Sequence, residues 1–197
     1  MKKSLILSCC LLSSFLYAAN PTDLAKLPKL TGTSGQPGLD LSNADLRTYQ
    51  FTPGKIDLQN ANLSHANLSN VNLEKMNLTN ANLSYANLEN ANLNGAILSN
   101  THLDHANLNH ATLQQANLSH ADVSYAFLMG ADLEQADLSK ADFTCANFDN
   151  ANLSKANVAE TVISSATFVN TITSDILNYE SVINNNTISC TALSTAN

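Results

Sequence analysis

The chain repeats an apolar residue at every fifth position from Leu58 to Phe168, twenty-three times without a phase error. Two residues before each apolar residue stands a small one, usually Ala, and the residue between them is usually Asn or Asp. A period of five fits neither the 3.6-residue period of an α-helix nor the two-residue period of a strand. Asn, Asp, Ser and Thr further disfavour a helix, because their side chains compete for backbone hydrogen bonds. The pattern is typical of a repeat architecture.

A chain with this period satisfies its pattern if it turns a corner every five residues and points two of the five side chains inward. Four such sides close a square coil of about 20 residues, and successive coils stack at the ~4.8 Å spacing of neighbouring strands. The Leu side chains then fill the tube in layers, and backbone amides pair with the coils above and below. The sequence therefore predicts an all-β solenoid with about six coils over residues 56–170.

The pattern Ala-(Asn/Asp)-Leu-x-x, seen for example in Ala61-Asn62-Leu63-Ser64-His65, resembles that of the pentapeptide-repeat family. The resemblance covers Ile56 to Asn170, which is more than half of the chain. It implies a right-handed quadrilateral β-helix with N- and C-terminal capping segments. It implies little about activity, because most members of the family have no assigned activity and a fold does not determine a function.

The first nineteen residues have the composition of a secretory signal peptide. Met1-Lys2-Lys3 forms a basic region, Leu5 to Leu16 forms an apolar region, and Ala18 and Ala19 offer cleavage sites. We therefore expect residues 1–19 to be removed and the mature protein to be periplasmic or secreted. No apolar run approaches the ~20 residues of a membrane-spanning helix.

Two segments flank the repeat. Residues 20–55 are predicted to form an N-terminal lead or cap. Leu41 to Leu46 resembles one more repeat but is two residues out of phase with Leu58, so Arg47 to Lys55 is interpreted as an inserted loop. After residue 170 the small residues vanish and the apolar spacing becomes irregular. Because a solenoid must cover its last layer or expose an edge, residues 171–197 are predicted to form degenerate coils or a C-terminal cap.

Removal of a signal peptide would take away Cys9 and Cys10 and leave Cys145 and Cys190. Regular coils would place these two residues on different sides of the tube, too far apart for disulfide geometry. The irregular spacing after Phe168 leaves a second option, in which the terminal segment folds back and pairs them.

The residues two positions after each inward residue form four outward columns, one at each corner. One column reads His65, Tyr85, His105, Tyr125, Cys145, whereas the other three contain mostly polar residues. Neighbouring rings ~4.8 Å apart are close enough to contact one another in an offset arrangement. Asn residues in register predict ladders of side-chain amides along the other columns.

Phe127 and Met129 flank Leu128 at positions where most repeats carry polar residues, so both should point outward. Large apolar groups clustered on a polar surface indicate an interaction site. The predicted partner-binding residues are Tyr85, His105, Tyr125, Phe127, Met129 and His65. The alternative is that the loop from Arg47 to Lys55 or the terminal segment covers these side chains and that they only stabilise the stack.

Five His residues raise the question of a metal site. Three of them fall on different corners and cannot converge on one ion: His105, His110 and His120. His102 shares a side with His105, with Asp104 between them and Asp122 one coil along, but the spacing of a closed zinc site is absent. The sequence also lacks a nucleophile elbow, a phosphate-binding Gly loop and paired carboxylates in a cleft. We assign no catalytic residue, no metal ligand and no cofactor.

The resemblance offers one specific precedent. Quinolone-resistance members of the family resemble duplex DNA in girth and negative charge, and they occupy the DNA groove of type II topoisomerases. Residues 56–170 carry eleven acidic residues and three Lys, a net charge of −8. A duplex of the same length, ~28 Å, would carry about 16 charges, and a cytoplasmic target conflicts with export.

We therefore expect an exported, non-enzymatic scaffold that presents a rigid surface to an unknown protein partner, with no nucleic-acid partner. A DNA-mimicking inhibitor of a type II topoisomerase and a self-associating structural solenoid are the alternatives, and a homodimer through a solenoid end is a further option.

Overall fold

The computed structural model of the chain describes residues 39–182, so the predicted signal peptide and the residues after Val182 lie outside the described residues. Parallel single-residue bridges join each coil to the next, for example from Asn62 to Asn82 and from Asn82 to His102. These bridges follow four sides, which run from Asp40 to Val162, from Asp45 to Thr167, from Asn72 to Ile172 and from Asn77 to Leu177. The described chain is therefore a stack of about seven coils with the predicted 20-residue period.

Backbone hydrogen bonds run along the axis of the stack. The N–H of Leu63 donates to the carbonyl of Asn82 at 2.7 Å, and the N–H of Asn82 donates to the carbonyl of Ala61 at 2.8 Å. Because each coil pairs with the coils before and after it, the buried backbone groups are satisfied without long strands. The stack ends in a 3-10 helix, Tyr179–Ser181. This is the only helix within residues 39–182, and none there has the length and apolarity to cross a membrane.

Each corner from Asn60 to Asn170 is a β-turn whose third residue has a positive φ. The N–H of Ala66 bonds to the carbonyl of Leu63 at 3.0 Å, and φ is 58° at His65 between them. A type II turn requires positive φ at this position, which Gly and Asn tolerate best. Asn occupies many corners, but Tyr85 and Lys75 adopt the same conformation. Such residues cost about 1–2 kcal/mol each in the left-handed region, which the packed coils must offset.

Two side chains per side point inward, as predicted. Leu63, Leu108 and their equivalents are fully buried in stacked layers beside buried Ala residues, and each buried Leu contributes about 1.5–3 kcal/mol. At three corners Thr replaces Ala, and its hydroxyl donates to a backbone carbonyl: Thr101 to Leu98 at 2.7 Å, Thr161 to Leu138 at 2.8 Å and Thr171 to Phe148 at 2.8 Å. The hydroxyl groups of Thr101 and Thr161 are therefore buried without the cost of a missing hydrogen bond.

The first coil is two residues longer than the others, because Asp40 pairs with Asn62 and Asp45 with Asn67. Phe51 is only 8% exposed and packs into the core, five residues after Leu46. The extra residues therefore lie between Phe51 and Leu58. The insertion is shorter than the loop from Arg47 to Lys55 that the sequence suggests, because an aromatic residue replaces the expected aliphatic one at the inward position.

The backbone coils continue past Asn170, but their side-chain pattern changes. Ile172 and Leu177 still pair with the preceding coil, yet their side chains occupy the outward position and are exposed. Thr173, a polar residue, stands where the next inward apolar residue would be. The apolar core therefore loses its last layer before the described chain ends, which leaves an opening at this end of the tube.

Candidate partner-binding surface

The corner column formed by His65, Tyr85, His105 and Tyr125, called the ring column below, is one continuous stack of rings. Successive ring centroids lie 4.9, 4.6 and 5.0 Å apart, and the planes are within 9° of parallel. The stack forms because the four residues share one corner, one coil apart, with nearly the same φ, so their side chains leave the backbone in the same direction. The predicted ring contacts are confirmed.

The ring column is open to solvent. Tyr85 is 51% exposed and His65 is also exposed, while His105 and Tyr125 are partly buried. The loop in the first coil therefore does not cover the rings. Stacking of aromatic pairs contributes about 0.5–1.5 kcal/mol beyond buried area, so the column both stabilises the corner and presents ring edges to solvent.

Phe127 and Met129, called the apolar flank below, lie on the side that follows the Tyr125 corner. Phe127 is 51% exposed and Met129 is 39% exposed, so both point outward as predicted. The ring column and the apolar flank are adjacent, so together they form an exposed surface that begins at the corner of Tyr125 and continues along the next side.

The coil tolerates Phe127 because a side chain of the preceding coil supplies the hydrogen-bond acceptor that Phe127 lacks. At most equivalent positions an Asn or Asp side chain accepts the N–H two residues later, as Asn107 does from Asn109 at 3.1 Å. Phe127 has no such acceptor. The N–H of Met129 instead donates to the Oδ1 of Asn109 in the preceding coil at 2.9 Å. The backbone turn is thus preserved while an apolar ring replaces a polar side chain.

The other flank of the ring column is polar. Donor atoms of His102, Asp104 and Asp122 all lie within 4.8 Å of one another. The hydroxyl of Ser84 donates to Asp104, and Ser124 donates to Asp122 from both its hydroxyl and its N–H. A hydrogen bond from the preceding coil therefore engages the carboxylate of Asp104, and local turn hydrogen bonds engage that of Asp122. His105 does not join this group, because its ring lies in the column.

Ion pairs lie at other corners of the tube. Lys75 bonds Glu74 at 2.9 Å, and this hydrogen bond lowers the pKa of the Glu74 carboxyl and raises the pKa of the Lys75 amine. Lys155 lies 3.6 Å from Glu134. Among the ion pairs formed within residues 39–182, none includes a residue of the ring column or the apolar flank.

Side-chain amides join successive coils. In a corner column Asn80 donates to Asn60 at 3.1 Å, as predicted, and on a side of the tube Asn92 donates to Asn72 at 3.1 Å. A more frequent role of Asn, which the repeat pattern alone does not reveal, is to accept the N–H two residues later within its own turn. Side-chain amides therefore stabilise the corners as well as the stacking of coils.

One exposed apolar residue was missed in the sequence, and one question about a Cys was left open. Ile97 is 40% exposed at the same repeat position as Phe127 but on another side of the tube. Ile97 stands where most repeats have Asn or Asp, and this departure from the pattern would have identified it. Cys145, the residue after Tyr125 in the same column, is disulfide-bonded, which contradicts the expectation that regular coils leave it unpaired. The partner sulfur lies outside residues 39–182, because that range contains no second Cys.

The bridges, corners and stacked core place the chain among the right-handed quadrilateral β-helices, as predicted. The family model for pentapeptide repeats matches residues 56–95, 96–135 and 131–170, together more than half of the chain. The chain therefore belongs to the pentapeptide-repeat family. Comparison with curated protein sequences finds no match.

Three solved structures illustrate the similarity. A pentapeptide repeat protein from the thylakoid lumen of Arabidopsis thaliana is 29% identical over 51% of this chain and 66%, just under two thirds, of its own length, with a TM-score of 0.47. HetL, a protein involved in heterocyst differentiation regulation in the cyanobacterium Nostoc, is 30% identical over 72% of this chain and 81% of its own, with a TM-score of 0.38. The plasmid-mediated fluoroquinolone resistance protein QnrB1 is 17% identical over 72% and 80%, with a TM-score of 0.53, and indicates the fold alone.

Proposed function

We propose that the protein is an exported, non-enzymatic scaffold that binds another protein through the ring column and the apolar flank. The observation that carries this proposal is the exposure of Tyr85 and Phe127, each 51%, in neighbouring positions on a stack whose outward residues before Phe168 are mostly polar. Exposed aromatic groups on a polar surface are characteristic of interaction sites.

The geometry favours binding because the ring side chains would lose little conformational entropy when a partner binds. The rings are held in register by the coils, within 9° of parallel, so a partner would not have to immobilise flexible side chains. Aromatic residues in such rigid positions supply much of the energy of typical protein interfaces. The partner surface that fits this face is flat and apolar at its centre, with donors that can reach the carboxylates of Asp104 and Asp122 on the polar flank.

A matched pair of variants tests the binding surface. Tyr125→Ser combined with Phe127→Asn restores polar residues typical of the repeat, and Ile97→Asn makes the same kind of change on another side. Proteins crosslinked to the wild-type chain in its host are expected to be recovered with Ile97→Asn and lost with the double variant, while both variants keep the far-UV spectrum of the wild type. Retention of every crosslinked partner by the double variant would exclude this face.

Export is tested separately by fractionating the host and sequencing the N-terminus of the mature protein. We expect a start after Ala18 or Ala19 in an extracytoplasmic fraction. An uncleaved cytoplasmic chain would contradict export and would favour the alternative, DNA mimicry at a type II topoisomerase.

The acidic residues themselves give limited support to that alternative. Asp122, Asp132, Asp137 and Asp142 occupy the position before an inward residue, and each accepts the N–H two residues later at 2.8–3.1 Å. Asp therefore serves the same turn as Asn at these positions. An acidic surface of this kind also favours solubility.

A further inference from the structure

The polar flank of the ring column brings one imidazole and two carboxylates together. A ring nitrogen of His102 and one carboxylate oxygen from each of Asp104 and Asp122 all lie within 4.8 Å of one another. His102 and Asp122 form a parallel bridge between adjacent coils, and Asp104 stands two residues after His102 in the following turn. The stacked coils therefore fix the three backbone positions, and the side chains alone have to adjust to a ligand.

These three side chains keep donor atoms that the protein does not use. The hydroxyl of Ser84 donates to Oδ1 of Asp104, and both hydrogen bonds from Ser124 reach Oδ1 of Asp122. In the described part of the chain, the Oδ2 atoms of both carboxylates and the ring of His102 take part in no hydrogen bond and no ion pair. Two neighbouring carboxylates repel each other, and a divalent cation between them would replace this repulsion with attraction.

The donor set selects the kind of cation. Imidazole nitrogen suits Zn²⁺ and other divalent transition-metal ions, whereas Mg²⁺ and Ca²⁺ prefer sites made of oxygen. Zn²⁺ binds His and Asp at about 2.0–2.2 Å, so tetrahedral ligands lie roughly 3.4 Å apart. The three donors would therefore have to approach one another by up to about 1.4 Å. The exposed ring of His102 can supply much of this movement by rotation.

We infer that His102, Asp104 and Asp122 form an open binding site for a divalent transition-metal ion, represented here by Zn²⁺. The sequence lacks the spacing of a closed four-ligand zinc site, but three protein ligands are enough for an open site, whose fourth position takes water or another molecule. The inference goes beyond the proposed function and does not depend on it, because the site uses no residue of the ring column or the apolar flank.

The repeat supplies variants that remove one donor each and keep the fold. His102→Asn and Asp122→Asn restore the residue that most repeats carry at this position, where it accepts the N–H two residues later. Asp104→Ser introduces the residue that both neighbouring coils carry here. His110→Asn is the matched control, because it removes an exposed imidazole from another corner of the tube. Far-UV circular dichroism verifies that all four variants fold.

Isothermal titration calorimetry with ZnCl₂ tests the site on protein purified from its host without reductant, so that Cys145 stays disulfide-bonded. We expect one Zn²⁺ per chain that equimolar Mg²⁺ does not displace. Removal of an outer-shell partner of a metal ligand weakens binding ~10–100-fold, and loss of any of the three ligands should weaken it at least as much. His110→Asn should bind as the wild type does. Unchanged affinity in any of the three ligand variants, or an equal loss in His110→Asn, would overturn the inference.

A second measurement uses the wild-type chain and does not depend on the variants. Diethyl pyrocarbonate modifies accessible imidazoles, and mass spectrometry of peptides gives the rate of modification at each His. Zn²⁺ should slow the modification of His102 several-fold and leave that of His110 unchanged, because a bound ion occupies the reactive nitrogen. An unchanged rate at His102, or equal protection of His102 and His110, would also overturn the inference.

Discussion

The two ends of the described stack are built from the same repeat but are closed to different degrees. At the N-terminal end Leu41 and Leu46 are buried, and Phe51 fills the third inward position, with Tyr49 packed edge-on against Phe51 at 4.6 Å. At the C-terminal end Phe168, Ile172 and Leu177 are exposed.

The difference lies in the register of apolar residues, because the backbone coils in the same way at both ends. The first coil keeps apolar residues at inward positions and stretches its backbone to do so. The last coil keeps the backbone period but carries Ile172 and Leu177 at the outward position, whereas Ile176 still packs against the core. Backbone hydrogen bonds alone can therefore extend the stack by one coil. The end of the stack is closed to solvent only when its inward side chains are apolar.

The largest expected effect separates the interior from the open end. Leu108→Asp buries a charge in a sealed layer, which costs several kcal/mol, and should abolish cooperative thermal unfolding. Leu177→Asp changes an exposed side chain at the open end and should alter the unfolding temperature by only a few degrees. Circular dichroism during heating measures both, and equal losses would contradict the layered core.

A second comparison measures how well each end is closed. Phe51→Ala should lower the free energy of unfolding by about 3–4 kcal/mol, as is usual for a buried Phe. Phe168→Ala should lower it by about 1 kcal/mol, because Phe168 is partly exposed and loses mainly its ring contact with Phe148. Denaturant unfolding gives both values. Equal costs would mean that the two ends are equally closed.

A smaller and opposite effect is expected at the corners. Glu160 has a φ of 55° near the open end, a conformation that Glu rarely adopts, so Glu160→Gly should stabilise the protein by about 0.5–1 kcal/mol. Asn43 has a φ of 59° at the closed end, but Asn tolerates this region, so Asn43→Gly should change stability little. If both substitutions destabilise equally in a denaturant series, corner strain is not a significant cost.

The smallest effect concerns an exposed ion pair of the first coil. Arg47 donates to Asp45 at 2.9 and 2.7 Å, and this bonding lowers the pKa of Asp45 below its ordinary value of 3.8. A lowered pKa in the folded state stabilises the protein above that value and ceases to do so as the pH falls through the lowered pKa. Arg47→Ala should therefore unfold slightly below the wild-type temperature at pH 6, and the difference should vanish in strong acid. A difference that persists there would point to packing by the Arg side chain instead.

The fold was predictable because one period governs it. A spacing of five over twenty-three repeats determines the corners, the inward Leu and Ala residues and the alignment of His65, Tyr85, His105 and Tyr125. The exposure of Phe127 also followed from its departure from Asn or Asp.

Features outside the period were not predictable in the same way. Phe51 was missed because an aromatic residue beside Pro53 and Gly54 resembles a loop. The backbone of Ile172 and Leu177 stayed in the coil because hydrogen bonds between coils do not depend on which side chain points inward. The disulfide of Cys145 could not be derived from the period, because the repeat pattern does not extend to its partner. The acceptor that Asn109 supplies to Met129 depends on a neighbouring coil, which a repeat-by-repeat analysis does not consider.

The first coil, two residues longer than the rest, has a consequence for how such a chain tolerates changes in length. Its extra residues leave the four faces of all later coils unchanged, because Asn62 and Asn67 still pair directly with Asp40 and Asp45. An insertion of five residues in the middle of the stack would rotate everything after it by a quarter turn and break the ring column. An insertion of a whole coil would lengthen the tube and leave every face aligned. Lineages that retain the ring column should therefore differ from this chain inside the stack by multiples of twenty residues, or by short bulges that a single corner absorbs.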